Sequence, residues 1–253
     1  RMTTTDDQIA ELAKYLKLPV FAAYKDFLSD LEGKPFPEAL LYLMQMETAG
    51  KQDRSCARRL KEARFPVIKT LDMFDPNRLP FLRPEQITEL STCDFIRKKY
   101  NVLAVGETGT GKTHLALAIG INAIHKGFSV RFHMVNALMD QLVEARHRHE
   151  LQQYMKVLHS CDLLILDEFG YQQLPQEHAN VMFQLFAGRH EQRSTYVTTN
   201  LEFSNWVTVL GDPTLTAALA DRFAHKSILL NMKGPSFRLA NGLKSLEMPE
   251  PEP

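Results

Sequence analysis

The stretch Gly106-Glu107-Thr108-Gly109-Thr110-Gly111-Lys112-Thr113 constrains this chain more than any other. The apolar run Val102 to Val105 precedes it and the helix-like run His114 to Ile124 follows. A strand, a glycine-rich loop and a helix form the context in which G-x-x-x-x-G-K-[ST] carries a mechanism. The glycines let the backbone curl so that its N–H groups point inward and cradle phosphates. The helix adds the positive end of its dipole. Lys112 is placed to reach the β- and γ-phosphates, and Thr113 to put its hydroxyl on Mg²⁺. A nucleoside triphosphate is therefore the expected ligand.

A second stretch says what is done with it. Leu163-Leu164-Ile165-Leu166 reads as a buried strand, and Asp167 and Glu168 sit at its C-terminal end. Ligands of open α/β sheets bind off those ends. Asp167 suits Mg²⁺, by direct or second-sphere coordination, and Glu168 suits polarising a water for attack on the γ-phosphate. Asn200 closes another strand, Thr195 to Thr199. There it either reaches the γ-phosphate or the attacking water, or it starts a turn.

Around these motifs the pattern alternates. Strands are expected at 102–105, 129–135, 163–166, 195–199 and 227–231. Helices are expected at 112–126, 136–160 (capped by Asn136), 176–190 and 214–223. The fold class is α/β, with helices flanking a parallel sheet whose strand 102–105 reads as a continuous apolar run, as expected at its centre. The first 69 residues read as a small all-helical domain. Asp6 and Asp7 cap its first helix, Phe21 to Leu28 begins another, one ends near Ala49-Gly50, and the next carries Arg54, Arg58 and Lys61 on one face. Residues 70–100 form a linker and lead-in helix, 101–245 the nucleotide-binding domain, and 246–253 an acidic, proline-rich tail expected to be disordered.

Charge narrows the partners. Lysines and arginines number 30 and aspartates and glutamates 30, so the net charge is zero. The basic residues are not evenly spread. Lys51, Arg54, Arg58, Arg59, Lys61, Arg64 and Lys69 face only Asp53 and Glu62 in the same span. That strip is either a solvated helix surface or a phosphate-contacting face. Arg146 and Arg148, in Arg146-His147-Arg148-His149, have the same two readings. His147 and His149 stand at i, i+2 and share no helix face, which argues against a metal pair. Cys56, Cys93 and Cys161 form no CxxC, so neither a zinc site nor a disulfide framework is indicated, and a reducing cytoplasm fits. No apolar run approaches membrane-spanning length, and the acidic start does not resemble a secretory signal.

Together, Gly106 to Leu115, Leu163 to Tyr171, Thr198-Thr199-Asn200 and Leu219-Ala220-Asp221-Arg222-Phe223 resemble an AAA+ ATPase of the initiator and helicase-loader group. Asp167 to Tyr171, Trp206 with Gly211-Asp212-Pro213, Ser236 to Leu239 and Arg58 to Pro66 are similar to the IstB-type helper ATPases of bacterial insertion sequences. The resemblance covers nearly the whole chain. It implies an AAA+ P-loop domain with a five-stranded parallel sheet, preceded by the helical domain. It makes Lys112 and Thr113 Walker A, with His114 beside them in the nucleotide site. Asp167 and Glu168 become Walker B and Asn200 sensor 1. Arg222 becomes an arginine finger acting on a neighbouring subunit's ATP, and Arg238 a sensor 2-like arginine. The extra helix after the second strand, 136–160, implies helical assembly and DNA contact.

The expected function is that of an ATP-dependent transposition helper. It would assemble as a homo-oligomer on double-stranded DNA, recruit or activate a cognate transposase, and disassemble on ATP hydrolysis, with ATP and Mg²⁺ as cofactors. One alternative is a DnaC-like replicative helicase loader on single-stranded DNA. The other is a small-molecule P-loop kinase, against which the Asp167-Glu168 pair and the trans arginine both speak.

Overall fold

The computed structural model describes residues 4–236. Arg238 and the tail therefore lie outside the described residues. Two compact units emerge, Arg1–Arg58 and Arg59 onward.

In the first unit, α1 (Thr5–Tyr15) is capped by Thr4, whose side chain accepts from the Asp7 N–H while Asp7 reaches back to Thr4. Asp7 is thus the far half of a capping box rather than the cap itself. The helix expected over 21–28 is broken into single turns, α2 (Pro19–Ala22), a 3₁₀ turn and α3 (Leu28–Leu31). The long helix α4 (Phe36–Ala63) corrects another expectation, because it runs straight through Ala49-Gly50. One glycine in a helix interior costs only about 1 kcal/mol relative to alanine, and neither a proline nor a new cap accompanies it. Arg64, at φ 58°, and the following Phe65-Pro66 end the helix.

The second unit is a five-stranded parallel sheet in which, across the sheet, the second strand in the chain is followed by the third, fourth, first and fifth. Two short helices, α5 (Pro84–Ser91) and α6 (Asp94–Arg97), lead into β1 (Asn101–Val105). Then come α7 (Lys112–His125), β2 (Val130–Met134), α8 (Val135–His147), α9 (Leu151–Ser160) and β3 (Leu163–Phe169). They are followed by α10 (Gln176–Arg189), β4 (Ser194–Thr199), α11 (Val207–Leu210), α12 (Pro213–Ala224) and β5 (Ser227–Asn231).

The span 136–160 is two helices, not one. The chain turns through left-handed His149, at φ 61°, and Asn136 lies inside α8, whose N-cap is Met134. Leu103, Leu164, Leu166 and Val197 are fully buried in one core with residues of α8 and α10. Each such side chain contributes roughly 1.5–3 kcal/mol of burial. On the other face α7 approaches closely at Gly120, where an added Cβ would meet Ile165 Cδ1 at 2.8 Å. Trp206 is fully buried against Phe169 and Phe203, at 4.6 Å each, and Phe223 at 5.9 Å. It is a packing residue. Among the described residues no helix is long and apolar enough to cross a membrane.

Candidate nucleotide site

The C-terminal ends of β1, β3 and β4 converge. Because β4 lies between β1 and β3, Asn200 at its end falls between the loop after β1 and the carboxylates of β3. It is exposed.

The loop itself is built to need its glycines. An added Cβ at Gly106 would lie 2.4 Å from the Met232 carbonyl oxygen. Gly109 and Gly111 sit at φ 86° and 90°, the left-handed region that disfavours side chains. Lys112 is buried, and its Nζ donates to the Gly106 and Glu107 carbonyls at 2.8 and 2.7 Å. Thr110 Oγ1 donates to the Glu107 carbonyl at 2.9 Å, pinning the curl. Glu107 and Thr108 stand exposed on its outer side.

Thr113 Oγ1 lies 2.9 and 3.0 Å from the two Asp167 oxygens. Its one proton is committed to the carboxylate, so its lone pairs are left for a cation. Asp167 is 2% exposed and also accepts from Thr198 Oγ1. This hydroxyl-and-carboxylate set suits a hard cation such as Mg²⁺, which takes few protein oxygens and completes its shell with water and phosphate. No group of three or more histidines, cysteines and acids able to hold a metal occurs among the described residues. Below, Tyr196 is fully buried. Burial, with a smaller contribution from the Asp167 charge, pushes its phenol far above its ordinary value, so it stays neutral.

Glu168 sits at φ 62°, a conformation unusual for glutamate. The β3–β4 register shifts between Leu166 and Phe169, and the Glu168 N–H turns onto Thr198 Oγ1 at 3.0 Å. Bulges and strained backbone of this kind re-aim a side chain and cluster at functional sites. Here they bring Glu168 into the wall of a cavity of ≈ 680 Å³ that also touches Lys112, Thr113 and Tyr171. A broader groove of ≈ 800 Å³ along α9 has no carboxylate in its lining and lies away from this chemistry.

Sequence reasoning missed three contributors. Thr198 orients both acidic positions. Tyr171 closes the cavity, its hydroxyl 3.3 Å from Thr108 Oγ1. Val67, Lys69, Met73 and Phe74, from the segment after α4, form its far wall. His114 joins that wall to the loop. Its Nε2 lies 3.2 Å from the Thr70 carbonyl and its ring meets Phe74 edge-on at 5.5 Å. Burial lowers its pKa.

A family model described as IstB-like ATP binding protein matches residues 12–245. The chain belongs to the IstB-like ATP-binding family. It is 36% identical over 236 residues to the insertion sequence IS5376 putative ATP-binding protein of Geobacillus stearothermophilus, covering 92% of this chain and 94% of the relative. It is also 36% identical to the IS21 putative ATP-binding protein of Pseudomonas aeruginosa, covering 83% and 79%. Among solved structures, AMPPCP-bound DnaA from Aquifex aeolicus superposes with a TM-score of 0.57 at 20% identity, covering 74% of this chain and 58% of that one. The DnaC helicase loader gives 0.54 at 20%, covering 66% and 96%. These two likenesses show the AAA+ fold of this IstB-like chain.

Arg222 lies elsewhere. It lies in the last turn of α12, beside the start of β1, where Asn101 Nδ2 donates to the Phe223 carbonyl at 3.3 Å. That is the opposite end of the sheet from Gly106, roughly 16 Å along the strand at 3.3 Å per residue. Of the basic residues, Arg54 pairs with Glu47 at 3.1 Å, and Arg148 with Glu144 and Glu150 at 3.5 Å each. Arg58, Lys61, Arg64 and Arg146 are exposed and Arg59 is half-buried.

Proposed function

We propose that this chain is an ATP-hydrolysing, DNA-binding helper of transposition. ATP-bound copies assemble on duplex DNA, recruit or activate the transposase of the same element, and come apart on hydrolysis. One observation carries the reading. The nucleotide end of the sheet holds a phosphate loop, Asp167 and Glu168, while Arg222 stands at the opposite end, out of reach of its own loop. A second copy brings the two ends together.

In that assembly Gly106 to Thr113 cradle the phosphates, and Lys112 transfers its donors from the loop carbonyls to the β- and γ-phosphates. Thr113 and Asp167 would hold Mg²⁺, whose chemistry there would be neutralisation of charge on the phosphate oxygens. Glu168 polarises the attacking water, and Asn200 orients it. Arg222 of the neighbouring copy stabilises charge developing on the γ-phosphate. Val67, Met73, Phe74 and His114 supply a partly apolar wall suited to the base. The insertion-sequence names of the relatives support the transposition setting.

Electron microscopy with a slowly hydrolysed ATP analogue tests this, using duplex and single-stranded DNA in parallel. Ordered assemblies on duplex are expected. Assembly only on single strands would replace the reading with that of a helicase loader.

A further inference from the structure

Arg222 carries a positive charge for which, among the described residues, no ion-pair or side-chain hydrogen-bond partner is present. An acid is at hand in the same region, but Glu191 pairs with Lys226 at 2.9 Å and His225 at 3.7 Å. What does touch the guanidinium is aromatic. Its Cζ lies 4.8 Å from the ring centroid of Phe183, on α10. The backbone beneath is fixed as well, since His190 Nδ1 donates to the Arg222 carbonyl at 3.1 Å.

A ring within about 6 Å attracts a cation through its quadrupole. Unlike a carboxylate, it takes up none of the five N–H donors. An arginine held this way is ordered in advance yet keeps its donors for an incoming anion, so less rotamer entropy is lost when the anion arrives. We propose that Phe183 is the positioning residue for Arg222, holding its guanidinium ready for the phosphate of a neighbouring copy. This rests on the reading of Arg222 as acting in trans.

The test is a double-mutant cycle on the full chain, with saturating ATP and duplex DNA. Hydrolysis is followed against protein concentration, and ATP affinity is measured separately. Phe183→Leu is expected to lower the plateau rate roughly two- to fivefold. ATP affinity and the concentration midpoint should not move, and Phe183→Trp should restore the rate. In an Arg222→Ala background, Phe183→Leu should cost nothing more. A wild-type plateau for Phe183→Leu, a failed rescue by tryptophan, or a further loss in the Arg222→Ala background overturns the proposal while leaving the trans arginine in place. A wild-type plateau for Arg222→Ala overturns both. Unchanged ATP affinity reports that the variants fold, and the tryptophan variant keeps the test decisive if leucine loosens α10.

Discussion

The two ends of the parallel sheet are built on opposite principles. At the C-terminal end the polar groups that would hold the phosphates and the cation are already engaged. Lys112 rests on its own loop carbonyls, Thr113 and Thr198 both donate to Asp167, and the Glu168 N–H is held by Thr198. At the N-terminal end Arg222 has an aromatic ring and, among the described residues, no acceptor. A satisfied network is a rigid, preorganised site. A cation kept without a counter-charge among the described residues is available to an incoming anion. On the proposed function, the contrast makes the unit of catalysis an interface rather than a subunit.

Mixing two inactive variants puts that conclusion at most risk. Glu168→Gln keeps a working arginine but loses the group that polarises water, and Arg222→Ala does the reverse. Each alone should hydrolyse ATP about 10³-fold more slowly, within the range assigned to catalytic bases and arginine fingers. In a 1:1 mixture about a quarter of head-to-tail interfaces pair an intact Glu168 with an intact Arg222. Recovery toward that fraction is expected in a steady-state ATPase assay. A mixture as dead as its components would place both ends in one subunit's site.

Next in size, Lys112→Ala should weaken ATP binding about 100-fold, the loss of charge-assisted bonds to phosphate, as measured with a fluorescent nucleotide. Tight binding by this variant would remove the loop from the nucleotide end. Thr198→Val tests the inner layer. It strips a donor from buried Asp167 at a cost of about 1–3 kcal/mol. The Mg²⁺ dependence of ATP binding should move to higher concentration, with little change in metal-free nucleotide affinity. An unchanged Mg²⁺ dependence would reduce Thr198 to packing.

How legible each end was in the sequence follows from the same contrast. The loop could be read because its chemistry is contiguous: eight adjacent residues, with a strand before and a helix after, carry the mechanism. The five strands were readable from the alternation with helices, β1 and β3 as apolar runs, and β5 falls on the residues expected for it. What escaped was assembled across the chain. Thr198 acts because β4 lies beside β3, a neighbourhood that sheet order creates. Val67, Met73 and Phe74 reach the cavity by tertiary packing, with no local pattern to mark them. Phe183 was visible only as one apolar residue of α10. The Ala49-Gly50 break was read from a residue that weakens a helix without ending it.

The smallest expected effect concerns the margin of the nucleotide end, where positive charges crowd instead of standing alone. His133, near the end of β2, is half-buried. Burial, then the nearby Arg64 and Arg131 charges, push its pKa down to about 4. Arg131 pairs with Glu62 at 3.4 Å, so the cluster is only partly neutralised. The unfolded chain regains an ordinary histidine near 6.5. Between about pH 6.5 and 4 it therefore binds more protons than the folded one, and stability falls as pH falls through that window. Urea unfolding at pH 7.5 and pH 5 should show a decline attributable to this residue on the order of 1 kcal/mol. His133→Gln, which cannot take up the proton, should flatten that decline. If the variant keeps the wild-type slope, the pH sensitivity arises elsewhere. Phosphate binding by the same cluster would diminish the repulsion that adds to burial in keeping the ring neutral. Duplex DNA should then raise the His133 pKa, visible in NMR titration of its ring protons. An unmoved titration would leave Arg64 and Arg131 as solvated surface.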